Sequence, residues 1–151
     1  MPPAGPVRGM VLVSACLLGV RCRYDGAARP LRSFPEELAG AEMLPVCPEE
    51  LGGLPTPRPP AELVGGDGEA VLDGRARALR ADGTDVTAAF LRGAELAVRL
   101  ARERGVRLAC LKSGSPACGA GLTHVGGRAV PGLGVAAAAL RRAGVRLIQA
   151  G

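Results

Sequence analysis

The sequence predicts an α/β protein: a single-domain three-layer sandwich built on a mostly parallel, Rossmann-like sheet. Two observations carry this expectation. Short apolar runs of strand length, Met10–Ala15 in GMVLVSAC, Met43–Val46 in EMLPVC and Val106–Leu111 ahead of KSGSPAC, alternate with segments of helical periodicity. Each run is followed by a cysteine, Cys16, Cys47 or Cys118, that enters a Gly- or Pro-bearing loop. Parallel strands joined by right-handed crossovers share one carboxyl edge, so cysteines far apart in sequence can meet in one crevice.

The elements follow in order. Residues 1–8, rich in Pro and Gly, read as an irregular lead-in to a domain over 9–151. A first strand over Gly9–Ala15 opens into CLLGVRCRYDGAARP, with turn signals at Tyr24-Asp25-Gly26. Ser33 is expected to cap a short helix reaching Ala39: Pro35 is tolerated in a first turn, Glu36 and Glu37 suit the positive end, and Gly40 suits the exit. Met43–Val46 is a second strand. From Pro48 to Gly68 five prolines and several glycines argue against regular structure. Glu69–Leu72 and Ala78–Arg80 read as short extended pieces around a turn at Asp73-Gly74.

The clearest element is a helix over Asp85–Arg104. Thr84 or Asp85 caps it, Val86, Ala89, Phe90, Gly93, Leu96, Ala97 and Leu100 share one face, and Gly105 ends it. Gly93 on that apolar face costs about 1 kcal/mol against Ala, which predicts a close backbone approach. Val106–Leu111 is the third strand, KSGSPACGAGL a loop, Gly134–Arg142 a last helix stopped by Gly144, and Val145–Ile148 the final strand.

Composition narrows the function. Apolar residues make up 48% of the chain but aromatics only 2%, so the core is built from Ala, Val and Leu. Eighteen Arg against one Lys, no Asn and a single Ile read as a genome-wide bias. The net charge of +5 suits an anionic ligand, yet the arginines are scattered among acidic residues with no aromatic interleaving, so direct nucleic-acid binding is not expected. No apolar stretch reaches membrane-spanning length and MPPAGPVRG lacks the apolar core of a signal peptide, so a cytoplasmic location is expected. In that reducing compartment five cysteines are thiols or metal ligands rather than disulfides.

Three of the four serines, and the only lysine, Lys112, stand beside Cys16 or Cys118. Cys110 lies inside a strand run and reads as core. Cys22, between two arginines that lower a thiol pKa, stays open as ligand, redox thiol or bystander. Cys16, Cys47 and Cys118 are either ordinary strand-end thiols or a shared metal site. Close Cys pairs are absent and His124 is the lone histidine, so neither the zinc nor the ferredoxin spacing is met. Three dispersed thiolates suit a cluster in which one iron lacks a protein ligand. A nucleotide-binding module would instead show a Gly-rich or P-loop after the first strand, and SACLLG is neither.

The stretches SACLLGVRCRYDG, PVCPEELGGLPTPRPPAE, DVTAAFLRGAE, LKSGSPACG and GLGVAAAALRRAGVRLI together resemble, from about Val11 to Ile148 and in order, the family long described as DUF523, now represented by the 2-thiouracil desulfidases. The resemblance implies an α/β fold holding a [4Fe–4S] cluster through three cysteines, the fourth iron taking the sulfur of a thiolated pyrimidine. The implied ligands are Cys16, Cys47 and Cys118, with Cys22 and Cys110 outside the first coordination shell. The implied acid and hydroxyl are Glu49 in CPE and Ser115 in SPAC; Ala117 departs from the family's SPSCG.

On that reading a 2-thiouracil-like nucleobase or nucleoside becomes uracil plus hydrogen sulfide. Glu49 moves the water's proton and Ser115 positions substrate or water. A metal- or sulfur-binding protein without turnover is the rival. Lys112, Arg23 and Arg58 are candidate cations around the negative cluster, Tyr24 and Asp25 steady the loop over it, His124 stays at the surface, and Leu51–Pro60 walls the pocket.

Overall fold

The computed structural model describes residues 9–28 and 30–151, so the expected lead-in lies outside the described residues. Along the chain run β1 (Met10–Ser14), β2 (Glu42–Val46), α1 (Pro48–Leu51), β3 (Ala61–Val64), α2 (Gly68–Leu72), β4 (Arg77–Arg80), α3 (Thr87–Glu103), β5 (Leu108–Lys112), β6 (Leu122–Val125), β7 (Arg128–Pro131), α4 (Val135–Arg142) and β8 (Arg146–Ala150), with 3₁₀ turns at Ala15–Leu18 and Glu36–Leu38.

Strands apolar on both faces belong in the middle of a parallel sheet. Val11 and Val13 of β1 point to one side and Leu12 to the other, all fully buried, and in β5 Leu108 and Cys110 oppose Ala109 and Leu111 in the same way. The sheet runs β2-β1-β5-β8, parallel throughout, as the sequence predicts. The face of Leu12, Ala109 and Leu111 packs on α3 and α4. On the opposite face the covering layer is thin: Leu17, Leu31, Phe34 and Leu38, carried on turns rather than a long helix, cover Val11, Val13 and Cys110. The helix expected from Ser33 is only the 3₁₀ turn Glu36–Leu38, entered from Pro35 without a side-chain cap.

α3 buries Phe90, Gly93, Ala94, Ala97 and Ala101, as its periodicity requires, but it starts at Thr87 after Val86 without the side-chain cap expected of Thr84 or Asp85; Asp85 instead accepts the Thr87 amide at 2.8 Å in the turn that precedes it. The close approach predicted at Gly93 is present. A Cβ there would stand 1.9 Å from the Pro48 carbonyl oxygen, and one at Gly52 would stand 2.0 Å from the Ala89 oxygen, so α1 and α3 meet backbone to backbone. We predict that Gly93→Ala lowers stability by about 3 kcal/mol through overpacking, although Ala favours an isolated helix by about 1 kcal/mol. An unchanged denaturation midpoint would show that the two helices can part freely.

A second sheet, β4-β3-β6-β7, was not expected. The segment Pro48–Gly68 is not irregular throughout: it holds α1 and β3. Pro48 occupies the first turn of α1, where its missing N–H is no loss, and β3 begins only after Pro60. β3 pairs with β4 and also with β6, through Leu63 and Val125, a partner no local pattern announces. Glu69–Leu72 is helical rather than extended, because the Asp67 carboxylate accepts the Glu69 and Ala70 amides at 3.1 and 3.4 Å and starts a helix. β6 and β7 form a hairpin over Gly126-Gly127, whose φ of 59° and 79° are those of a two-residue turn. Among the described residues no helix is long and apolar enough to cross a membrane.

Candidate active site

After β1 the chain steps to β2 on one side, then returns to β5 on the other, so the order of the sheet reverses between β1 and β5. Loops leaving the carboxyl ends at such a point diverge and leave a crevice. A cavity of about 390 Å³ lies there, and Cys16, Cys47, Cys118, Glu49 and Ser115 all line it. That volume suits a small ligand.

Each side chain has a local reason for its place. Cys16 lies in the 3₁₀ turn Ala15–Leu18 after β1, which Gly19 closes with a φ of 89°. Cys47 precedes α1, and its sulfur takes a hydrogen bond from the Glu50 amide. Ser115 folds the third loop: its Oγ accepts the amides of Ala117 at 3.1 Å and Cys118 at 3.0 Å, so it does form the turn that its position before Pro116 suggests. Its own O–H has no acceptor among the described residues. The loop is clasped by the start of α4, where Val135 donates to Pro116 and Ala136 and Ala137 donate to Ala117. A Cβ on Gly134 would fall 2.5 Å from the Ala117 carbonyl, so only glycine permits this clasp. Ala117 is buried and does not line the cavity, so the hydroxyl missing from SPSCG is not missing from the site.

The five cysteines are free thiols, but their environments differ. Cys22, left out of the site by the sequence reading, is buried and lines the cavity. Its sulfur lies beside those of Cys16 and Cys47, sharing its one proton with them, which pushes its pKa up, and its carbonyl accepts the Cys47 thiol at 3.7 Å. The side-chain hydrogen bond with Cys22 is the main reason Cys16 falls to about 7; burial opposes it, while Lys112 and Arg23 add positive charge. Cys47 is lowered by the Cys22 hydrogen bond against burial, with help from the Glu50 amide. Burial pushes Cys118 up, offset in part by the Ser14 hydroxyl. Cys110 lies in the core, where burial raises it to about 11.

A lowered pKa means more thiolate at a given pH, so in metal-free protein alkylation of Cys16 should rise steeply through about pH 7 and then level. We predict that brief iodoacetamide treatment at about pH 7.5, read by peptide mapping, modifies Cys16 and Cys47 first. Labelling of Cys110 or Cys118 ahead of them would contradict these environments.

Glu49 stands on the first turn of α1, not on a solvated loop. Arg58 Nη2 lies 3.3 Å from its Oε2 and Nε 3.4 Å from its Oε1, with the Arg58 side chain only 2% exposed. The same guanidinium donates to Cys22 O at 2.9 Å, Thr56 Oγ1 at 2.8 Å and Pro55 O at 3.1 Å. A buried charge needs such partners, and here they tie α1, the Cys22 loop and the proline-rich segment together. The sequence marked Arg58 only as a cation near the site. Its partnership with Glu49 was missed, although an arginine enclosed in TPRPP is a signal of a fixed position.

From Leu51–Pro60, Arg58 and Pro60 reach the cavity. Lys112 also lines it, donating to the carbonyls of Ser113 and Gly151, and Asp25 steadies the Tyr24 turn by accepting the Ala27 amide. His124 is exposed at the rim, against the Gly114 carbonyl. Ser14, which accepts the Lys112 amide at 2.9 Å, and Glu62 are further lining residues that the sequence reading did not select.

Comparison with known proteins agrees with this fold. The family model described as 2-thiouracil desulfurase matches residues 11–150. An uncharacterized protein of Bacillus subtilis (strain 168), YbbK, is 43% identical over 146 residues, covering 93% of this chain and 95% of its own. A solved structure, the [4Fe-4S]-dependent thiouracil desulfidase TudS (DUF523Vcz), superposes with a TM-score of 0.78 at 42% identity, covering 93% of this chain and 90% of its own. With the fold and nearly the whole length in common, the chain belongs to the 2-thiouracil desulfurase family.

Proposed function

We propose that the protein hydrolyses the C–S bond of a thiolated pyrimidine, releasing hydrogen sulfide and leaving a carbonyl, with a [4Fe–4S] cluster held by Cys16, Cys47 and Cys118. The observation that carries the reading is that these three thiols, Glu49 and Ser115 line one cavity at the strand-order reversal. The donor set fits the group. Three cysteine sulfurs, soft donors of the kind iron–sulfur clusters take, line one cavity and would hold the cluster. Two of the three thiols have their pKa lowered toward the thiolate that iron requires. When bound, the cluster supplies an iron without a protein ligand as a Lewis acid for the soft sulfur of the substrate.

The chain's own residues do the rest. Glu49, fixed by Arg58, takes a proton from the attacking water and returns one to the departing sulfur. Ser115, whose Oγ is already oriented by two amides, offers its remaining O–H to substrate or water. C=S and H₂O become C=O and H₂S, so no external reductant is needed. Five free cysteines fit a reducing compartment, and we assign the reaction to the cytoplasm as one domain acting on a small molecule.

Anaerobic reconstitution should give iron and sulfide in equal amounts, four of each per chain, with a [4Fe–4S] visible and EPR signature. The same protein should convert 2-thiouracil to uracil and sulfide. Stoichiometric zinc without sulfide would defeat the cluster assignment, and a loaded cluster without turnover would favour a binding or sensing role.

A further inference from the structure

Two polar side chains on the cavity wall are left with unused hydrogen-bonding capacity. Glu62, half-buried on β3, has no hydrogen bond or ion pair to any described residue, and its Oε2 lies beside the backbone of Gly127 at the cavity. Arg23 presents a solvent-shielded Nη1 that donates to nothing. Its nearest carboxylate, Asp25, is 3.8 Å away, beyond hydrogen-bond reach. The other charged groups of the wall are engaged: Glu49 with Arg58, and Lys112 with two carbonyls. The backbone ties the two segments together, since the Arg58 amide donates to the Tyr24 carbonyl at 2.7 Å and Glu62 follows four residues later. Both residues line the same cavity, Glu62 with an unmatched acceptor and Arg23 with a shielded nitrogen whose lack of a partner is costly.

Resting on the desulfidase reading, we propose that Glu62 and Arg23 read the imide edge of the substrate, Glu62 accepting the ring N3–H and Arg23 donating to the carbonyl beside it. In 2-thiouracil, with the sulfur turned toward Cys16, Cys47 and Cys118, the next two positions around the ring on one side are N3–H and the C4 carbonyl. In 4-thiouracil they are N3–H and the C2 carbonyl, so both isomers present the same edge. A cytosine-type ring carries a bare N3 acceptor there and sets a lone pair against the carboxylate. N1 lies off this edge, so a ribose at N1 is no obstacle to the contact.

Uracil keeps the edge and is not turned over, so the contact can be measured without activity. Ligand-observed NMR titrations of the cluster-loaded protein should give similar dissociation constants for uracil and 1-methyluracil. 3-Methyluracil and cytosine should bind roughly ten- to a hundredfold more weakly, the range of one charged hydrogen bond. Glu62→Gln should weaken uracil about tenfold and leave the already weak 3-methyluracil nearly unchanged, whereas Arg23→Met, whose carbonyl partner both ligands keep, should weaken both. Should a variant fail to fold, the methylated ligands on the parent protein still decide. Equal binding of uracil and 3-methyluracil, no binding of uracil, or an equal loss for both ligands in Glu62→Gln would overturn the assignment. Discrimination among these ligands without sulfide release from 2-thiouracil would sink the desulfidase reading alone; sulfide release without discrimination would sink this one alone.

Discussion

Cys47→Ser should yield a folded protein that holds no [4Fe–4S] cluster and releases no sulfide from thiouracil. The substitution is clean for a structural reason. Position 47 is the N-cap of α1, and serine is among the preferred N-cap residues, so the helix that carries Glu49 keeps its start. What is lost is the soft ligand. The Cys47 thiol is tuned toward thiolate by Cys22 and the Glu50 amide, while a serine hydroxyl in the same place stays protonated and is a poor donor to iron in a sulfur cluster. Iron and sulfide analysis after anaerobic reconstitution, with circular dichroism as the control for folding, tests this. A variant with full cluster content would remove Cys47 from the ligand set.

Glu49→Gln should separate holding the cluster from using it. The amide keeps the shape of the side chain and one acceptor for Arg58, so the cluster spectrum should persist. The buried guanidinium loses its counter-charge, which should cost about 1–3 kcal/mol of stability. Turnover per cluster should fall on the order of 100-fold or more, the usual contribution of a general acid–base group. If the variant, with its cluster counted, processed thiouracil at the parent rate, the proton would have to be moved by another group.

How much of this was legible before the structure differs by region, for physical reasons. β1, β5, α3 and α4 were readable because their signals are short-range: unbroken apolar runs in the two strands, burial at every third or fourth position in α3, and an Ala-rich run between glycines in α4. The meeting of Cys16, Cys47 and Cys118 followed from parallel strands sharing an edge. The second sheet was hidden because β3 sits behind prolines and finds β6 some sixty residues later. Even so, Gly126-Gly127 was a hairpin signal within reach. Asp67 likewise marked the start of α2, and GEAVL misled because its Val and Leu also suit a strand. The Glu49–Arg58 pair was not readable, since nine residues of turn separate partners that only the folded proline-rich segment brings together. Cys22 resembled a bystander because its burial depends on a loop folding back over β1.

The reversal of strand order between β1 and β5 also sets a timetable. Cys16 and Cys47 leave the ribosome within the first third of the chain, and β1 can pair with β2 as soon as that segment is made. Cys118 belongs to the loop after β5, and β5 docks against β1 only after nearly a hundred further residues have been made. Such distant parallel pairing forms slowly. Throughout that interval the nascent chain carries two of the three proposed ligands, so on that ligand set cofactor delivery has to wait for synthesis to be nearly complete. The half-built site is the stage of the protein's life most exposed to oxidants and to stray zinc.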